Sequence, residues 1–232
     1  MAMIILAVDT SGPVCGVAVT RDQQVIYEAL AVNKHTHSAS LLPMIDEALV
    51  RCGLTVADVD LLAVVVGPGS FTGVRIGVST IKGMAHGAGK PCAGVNALQA
   101  LAAGISQTDD LICPIQDARA GQVYGAAFAS GMPPVRIVED RAAKLELYLD
   151  AVLQQAKNGQ KLVFVGDGVK PYHDSIVQAL GDRAVFPPAH FGYLRPSSVA
   201  LLAQQATPVD YLTLMPYYLR APQAERARRG KA

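Results

Sequence analysis

The chain has 232 residues, 51% hydrophobic and 17% charged, and its 20 basic and 19 acidic side chains leave a formal charge of +1. That composition excludes a disordered, charge-rich chain. It also excludes a whole-molecule field able to hold nucleic acid by counterion release, so any nucleic-acid role needs a local patch or a partner.

The opening Met1–Asp9 has no basic leader and its apolar run stops at a carboxylate, so neither a signal peptide nor a membrane span is expected. Ile4–Val8, Val14–Val19 and Gln24–Ala31, separated by turn chemistry at Gly12-Pro13 and Arg21-Asp22, predict a three-strand meander. Leu42–Cys52 carries Leu42, Ile45, Leu49 and Cys52 at helical spacing, with Ser38 or Ser40 as cap and Gly53 as stop. A strand at Leu61–Val66, a helix at Gly73–Ala88 and a short strand at Cys92–Val95 follow. The second half runs in the same order, with strands at Leu111–Gln116, Gln122–Ala129 and Val135–Val138, a helix at Ala142–Gln155 and a strand at Leu162–Val165. Tyr172–Leu180 is read as a helix, Ala184–Phe186 as extended and Ser197–Gln205 as a helix. Both halves therefore read βββαβαβ, a repeat of element order rather than of residues. A meander followed by alternating helix and strand builds a mixed sheet, and two such units predict an α/β molecule of two lobes with a cleft.

In each half the first strand ends on an aspartate, in Val8-Asp9-Thr10-Ser11-Gly12 and in Gln116-Asp117-Ala118-Arg119-Ala120-Gly121. Such hairpins can turn backbone N–H groups to a phosphate and a carboxylate to a cation, or Asp9 and Asp117 can simply shape turns. Gly67-Pro-Gly-Ser-Phe-Thr-Gly-Val-Arg-Ile-Gly77 joins a strand to a helix through a glycine-rich turn, an anion cradle to which Ser70, Thr72 and Arg75 add donors. It matches neither GxGxxG nor GxxxxGK[ST]. Along the same helix Gly73, Gly77, Thr80 and Gly87 leave one stripe nearly without side chains, at about 1 kcal/mol per glycine unless something packs there. An element of the same chain or a helix of another subunit would fill it.

His35-Thr-His37 suits a metal but has no third ligand nearby, and Cys15, Cys52, Cys92 and Cys113 form no CxxC pair, so no metal site is expected and the thiols are read as free. Neither GxSxG nor HExxH occurs. The tail Arg220–Ala232 carries five cations against Glu225, the one concentrated basic patch, either a solvated end or a contact for RNA phosphate.

Ile5-Leu-Ala-Val-Asp-Thr-Ser11, His37-Ser38 with Leu41-Leu-Pro43, Gly67–Gly77, Asp117-Ala-Arg119 with Val123-Tyr124, and more loosely Gly166-Asp-Gly168 and Tyr218-Leu-Arg220 together resemble the bacterial TsaB (YeaZ) family. The resemblance implies two RNase H-like lobes of the actin, heat-shock ATPase and sugar-kinase superfamily, divided here as 1–108, 109–219 and a basic tail, 220–232. It implies a cytoplasmic, non-catalytic subunit required, with TsaD and the ATPase TsaE, for threonylcarbamoylation of the adenosine beside the anticodon in tRNAs reading codons that begin with A. The catalytic relative TsaD holds its metal through an HxxxH pair, whereas His35 and His37 stand two apart. Leu42, Ile45, Leu49, Gly73, Gly77, Thr80, Met84 and Gly87 are then expected to contact TsaD, or a second copy when the chain is alone, and tRNA is met mainly through the complex. No cofactor is required, and Asp9, Thr10, Ser11, Gly69, Ser70 and Asp117 are the candidates for weak nucleotide binding between the lobes. Gln122 stands where the family commonly has glutamate. The alternative on the same fold is a nucleotide-dependent phosphotransferase or ATPase.

Overall fold

Strand β1 (Ile4–Asp9) sets Ile5 and Ala7 on one face and Leu6 and Val8 on the other, and all four are buried. A strand apolar on both faces belongs in the middle of a sheet covered on both sides. In the computed structural model, which describes residues 2–32, 36–105 and 108–220, β1 is such a strand. It pairs antiparallel with β2 (Cys15–Arg21), which pairs with β3 (Gln24–Ala31), and parallel with β4 (Leu61–Gly67), beyond which lies β5 (Cys92–Asn96). The parallel register Ile5↔Leu61 to Val8↔Val64 keeps equivalent residues on the same face.

The second sheet has the order β10-β9-β6-β7-β8, from β6 (Leu111–Asp117), β7 (Gln122–Ala129), β8 (Val135–Lys144), β9 (Leu162–Val165) and β10 (Ala184–Val185). It repeats the first sheet, with a meander on one side of the leading strand and parallel crossovers on the other. Each half has the same βββαβαβ order around one five-stranded mixed sheet, and the tandem pair makes the two-lobed α/β architecture read from the sequence.

Helices α1 (His37–Arg51) and α2 (Phe71–Ala88) cover the outer face of the first sheet, over a core of Leu6, Val8, Leu62 and Val64. Helices α4 (Leu145–Leu153) and α5 (Val169–Leu180) cover the second in the same way. The inner faces share one core that runs from Ile5, Leu61 and Val95 to Ile112, Phe128 and Val165. Two short helices fill it: α3 (Ala97–Ala103), from the first half, lies against β6 and β7, and α6 (Pro196–Ala203), from the second, lies against β1 and β2. Each half lends the other a helix, so burial along this seam joins them through apolar surface rather than a hinge.

Several boundaries differ from the sequence reading, for local reasons. Helix α1 begins at His37, five residues before the Leu42 start read from apolar spacing, with Thr36 rather than Ser38 or Ser40 at its N-cap and Pro43 inside it. Strand β8 runs to Lys144 because Gln122↔Lys144 extends its pairing with β7, so α4 starts at Leu145 rather than Ala142. Helix α3 was not expected: its sequence ALQALAA is buried nearly all round and shows no amphipathic period.

Candidate functional site

The ends of β1 and β6 carry the same device. Asp9 Oδ1 accepts the Ser11 N–H at 2.7 Å, and Asp117 Oδ1 accepts the Arg119 N–H at 2.8 Å, so each first strand turns through an aspartate two residues ahead of the donor. Asp9 is fully buried, and loss of hydration lifts its carboxyl to about 6 against the pull of the Ser11 N–H and of His37. The Ser11 hydroxyl lies close enough to favour the charged form of Asp9 but makes no hydrogen bond of normal geometry. Asp117 also pairs with the Arg119 guanidinium at 3.3 Å. Arg119 and Ala120 both take positive φ, 63° and 54°, conformations that cost a non-glycine residue about 1–2 kcal/mol. Gln122 uses its carbonyl to accept from the Ala118 N–H and the Tyr172 hydroxyl.

The first hairpin is sewn to the start of α2. Thr10 Oγ1 donates to the Gly73 carbonyl at 2.7 Å, and the Ser70 N–H donates to the Ser11 carbonyl at 2.7 Å. Ser70 caps α2 by accepting the Gly73 N–H at 3.3 Å. Of the six nucleotide candidates, Ser11, Gly69, Ser70 and Asp117 line one cleft of about 400 Å³ between the lobes. Asp9 lies behind it, beside a smaller cavity, and the Thr10 hydroxyl is committed to Gly73 and is unavailable to a ligand.

Sequence reasoning missed three residues of this cleft. Asp167, between β9 and α5, is held up to about 6 by burial and by the charge of Asp117. The duplication itself could have located it, because the β9–α5 junction is the counterpart of β4–α2. Gln116 is buried with its side-chain carbonyl unpartnered. Tyr218 comes from a strap, residues 207–220, that runs antiparallel along α2. Val209 bridges to Cys92, Tyr211 packs on His86 with ring centroids 4.6 Å apart, and Lys82 Nζ donates to the Leu214 carbonyl at 3.1 Å. Arg75, expected in the anion cradle, instead donates through Nε to the Tyr218 hydroxyl at 3.0 Å. Arg220 ends the strap by donating to the Ala118 carbonyl of the other lobe at 3.0 Å. The rest of the basic tail, and His35, lie outside the described residues.

The expected contact stripe divides in two. Ile45 and Leu49 are buried in the chain's own core. A Cβ on Gly73 would meet the Thr10 carbonyl oxygen at 2.0 Å, and one on Gly77 would meet Thr10 Oγ1 at 2.6 Å and Val64 at 3.2 Å. These four are covered by the same chain, which corrects the expectation that a partner fills them. Leu42 is 56% exposed, Thr80 and Met84 are half-buried, and Gly87 is exposed with nothing within 4 Å of a Cβ. Gly83, not singled out from the sequence, is equally open, and Val50 on α1 is 69% exposed.

His37 Nε2 shares a hydrogen bond with the Gly12 carbonyl at 3.0 Å, and among the described residues no three His, Cys, Asp or Glu side chains gather as a metal site. All four cysteines are free, and among the described residues no helix is long and apolar enough to cross a membrane.

Residues 30–228 match the family model of TsaD, tRNA N6-adenosine threonylcarbamoyltransferase. The tRNA threonylcarbamoyladenosine biosynthesis protein TsaB of Bacillus subtilis is 34% identical over 225 residues, 96% of each chain, and that of Escherichia coli is 34% identical over 175 residues, 74% of each. The solved structure of YeaZ from Pseudomonas aeruginosa superposes with a TM-score of 0.77 at 25% identity, covering 94% of this chain and all of that one. With two first strands closing on the same aspartate turn, and with near full-length similarity to these proteins, the chain belongs to the TsaB (YeaZ) family of tRNA threonylcarbamoyladenosine biosynthesis proteins.

Proposed function

We propose that this chain is a cytoplasmic, non-catalytic subunit required, with TsaD and TsaE, to place the threonylcarbamoyl group on the adenosine beside the anticodon, and that the outer face of α1 and α2 docks TsaD. The observation that carries it is the pair Gly83 and Gly87, one turn apart on α2 and open to solvent. Each costs the helix about 1 kcal/mol against alanine, and among the described residues no element makes use of the space. A helix of another subunit would, because bare faces let two axes approach closely. Leu42 and Val50, exposed on α1, supply apolar area for the same seam. The TsaD metal pair HxxxH has no match at His35 and His37, which supports leaving the transfer itself to TsaD.

Gly83→Leu and Gly87→Leu test this reading by co-purification with TsaD and by tRNA modification in vitro, with urea unfolding as the control for folding. Loss of complex and of modification in chains that unfold like the wild type is expected. Unchanged capture of TsaD, or transfer by the isolated chain, overturns it. A homodimer formed alone would use the same face and dissociate when TsaD is added.

A second reading, weak nucleotide binding between the lobes, is favoured by Ser11 and Gln116, buried on the cleft wall with unpartnered oxygens. Calorimetric titration of the isolated chain with ATP and magnesium tests it, and turnover there would favour the phosphotransferase or ATPase alternative.

A further inference from the structure

We infer that the mouth of the interlobe cleft is a contact site for an unpaired stretch of RNA, with a base stacked on the Arg75–Phe71–Tyr218 cluster and the phosphates following the arginine rim. This rests on the reading that RNA is what the assembled complex handles, but the site is argued from this chain alone.

The cluster is built by two elements far apart in sequence. Phe71 and Tyr218 stand with ring centroids 4.8 Å apart and a tilt of 32°. The Arg75 guanidinium lies over the Phe71 ring at 3.9 Å and is pinned by its bond to the Tyr218 hydroxyl. Arg75 is exposed, and Tyr218 and its neighbour Tyr217 keep 39% and 42% of their surface in water. All four aromatic and arginine groups are held on the first turns of α2 and the strap, so their flat faces are fixed before anything binds. Aromatic rings and arginine planes of this kind are what unstacked bases pack on, whereas a duplex offers no free base face.

The charges around the cluster are placed for a chain of phosphates rather than for one. Arg119 and Arg220 line the cleft where the 18-residue helix α2 begins, and Arg75 stands beside it over Phe71. Ser11 and Gln116, nine-tenths buried or more, add polar atoms without partners on the cleft wall. Inside, Asp117 and Asp167 oppose phosphate, so the backbone of a bound strand belongs at the rim and not in the depth. From Arg220, anchored at the mouth by the Ala118 carbonyl, the sequence continues with Arg226, Arg228, Arg229 and Lys231 against Glu225. The densest basic run of the sequence therefore starts from a residue fixed at the cleft mouth, and its four further cations are more than one nucleotide's phosphates need.

The test is fluorescence anisotropy on the full chain with a labelled single-stranded RNA of about a dozen nucleotides, a duplex of the same length, and unlabelled ATP as competitor. Single-strand binding that weakens about 10-fold in Tyr218→Ala and stays within about 2-fold in Tyr218→Phe is expected, because the ring does the stacking. Replacing Arg226, Arg228, Arg229 and Lys231 by Gln should lower the slope of log affinity against log salt by about 3. Equal binding of duplex and single strand, indifference to Tyr218→Ala, or displacement by ATP as effective as by RNA overturns the inference, the last by making the site one for a free nucleotide. Because Tyr218→Ala can loosen the strap, Arg75→Gln, on the solvent side of α2, is measured beside it with the same expected loss. Capture of TsaD should be unchanged in all these variants, so failure here and failure of the docking face are told apart.

Discussion

Four glycines on one helix should respond oppositely to the same added methyl group. Alanine at Gly83 adds a Cβ that meets nothing, and removes the helix penalty of glycine, a gain of about 1 kcal/mol and of about 2–4 °C in midpoint for a chain of this size. Gly87→Ala should behave alike. At Gly77 the same gain is set against a Cβ only 2.6 Å from Thr10 Oγ1 and 3.2 Å from Val64. Overpacking costs about 1–3 kcal/mol. Pushing the Thr10 hydroxyl off the Gly73 carbonyl strands a buried donor at about 1–3 kcal/mol more, for a net loss of about 1–5 kcal/mol. At Gly73 the obstacle is the backbone oxygen of Thr10 at 2.0 Å, which no rotamer relieves, so the hairpin or the first turn of α2 must move and a loss of about 3 kcal/mol or more follows. Urea unfolding of the four alanine variants measures this directly as the order Gly83 and Gly87 above wild type, Gly77 below, Gly73 lowest. A Gly73→Ala chain as stable as the wild type would refute the placement of α2 on the first hairpin. So would a Gly83→Ala chain destabilised as much as Gly77→Ala.

Asp9 and Asp167, both lifted to about 6, set the pH dependence, and Asp9 is the more deeply buried of the two. Its carboxyl titrates near 6 in the folded chain against 3.8 when exposed, so between these values the folded state holds the extra proton. Stability therefore falls as pH rises from about 4 to about 6, by about 3 kcal/mol from this group, and stays lowered above. Asp9→Asn keeps an oxygen for the Ser11 N–H and removes the buried charge; it should be more stable than wild type at pH 8, with a flatter profile between pH 4 and 6. An unchanged profile would place that titration elsewhere. Glu28 on β3 caps α6 from across the lobe boundary, accepting the Ser197 N–H at 3.0 Å and hydroxyl at 2.7 Å and pairing with Arg195. Glu28→Ala should cost about 1–2 kcal/mol, the usual worth of a helix cap, and Glu28→Gln less; thermal unfolding that ranks the two the other way would dismiss the cap.

The strands and the doubling of the fold were legible because their signals are local. Ile4–Val8 and Leu61–Val66 announce themselves by apolar runs, and Gly12-Pro13, Gly53 and Gly89 punctuate them whatever lies around. The Gly67–Gly77 turn was legible for the same reason, and so were Ser11, Gly69, Ser70 and Asp117, which the structure gathers in one cleft. Helix α3 escaped because burial all round erases the amphipathic period. The strap escaped because its contacts, Tyr211 on His86 and Tyr218 on Phe71, span more than 120 positions of chain and leave no pattern in either partner.

The stripe on α2 marks the boundary most clearly. Gly73, Gly77, Thr80, Met84 and Gly87 fall within about 80° of one another on an α-helix, so sequence alone fixed that they share a side. It did not fix what stands opposite. The hairpin that ends β1 reaches only the first turns of the helix, so Thr10 fills the space at Gly73 and Gly77 and leaves Gly83 and Gly87 open. Periodicity is a property of one segment, whereas occupancy of a face depends on where a distant segment stops, and only the folded chain supplies that.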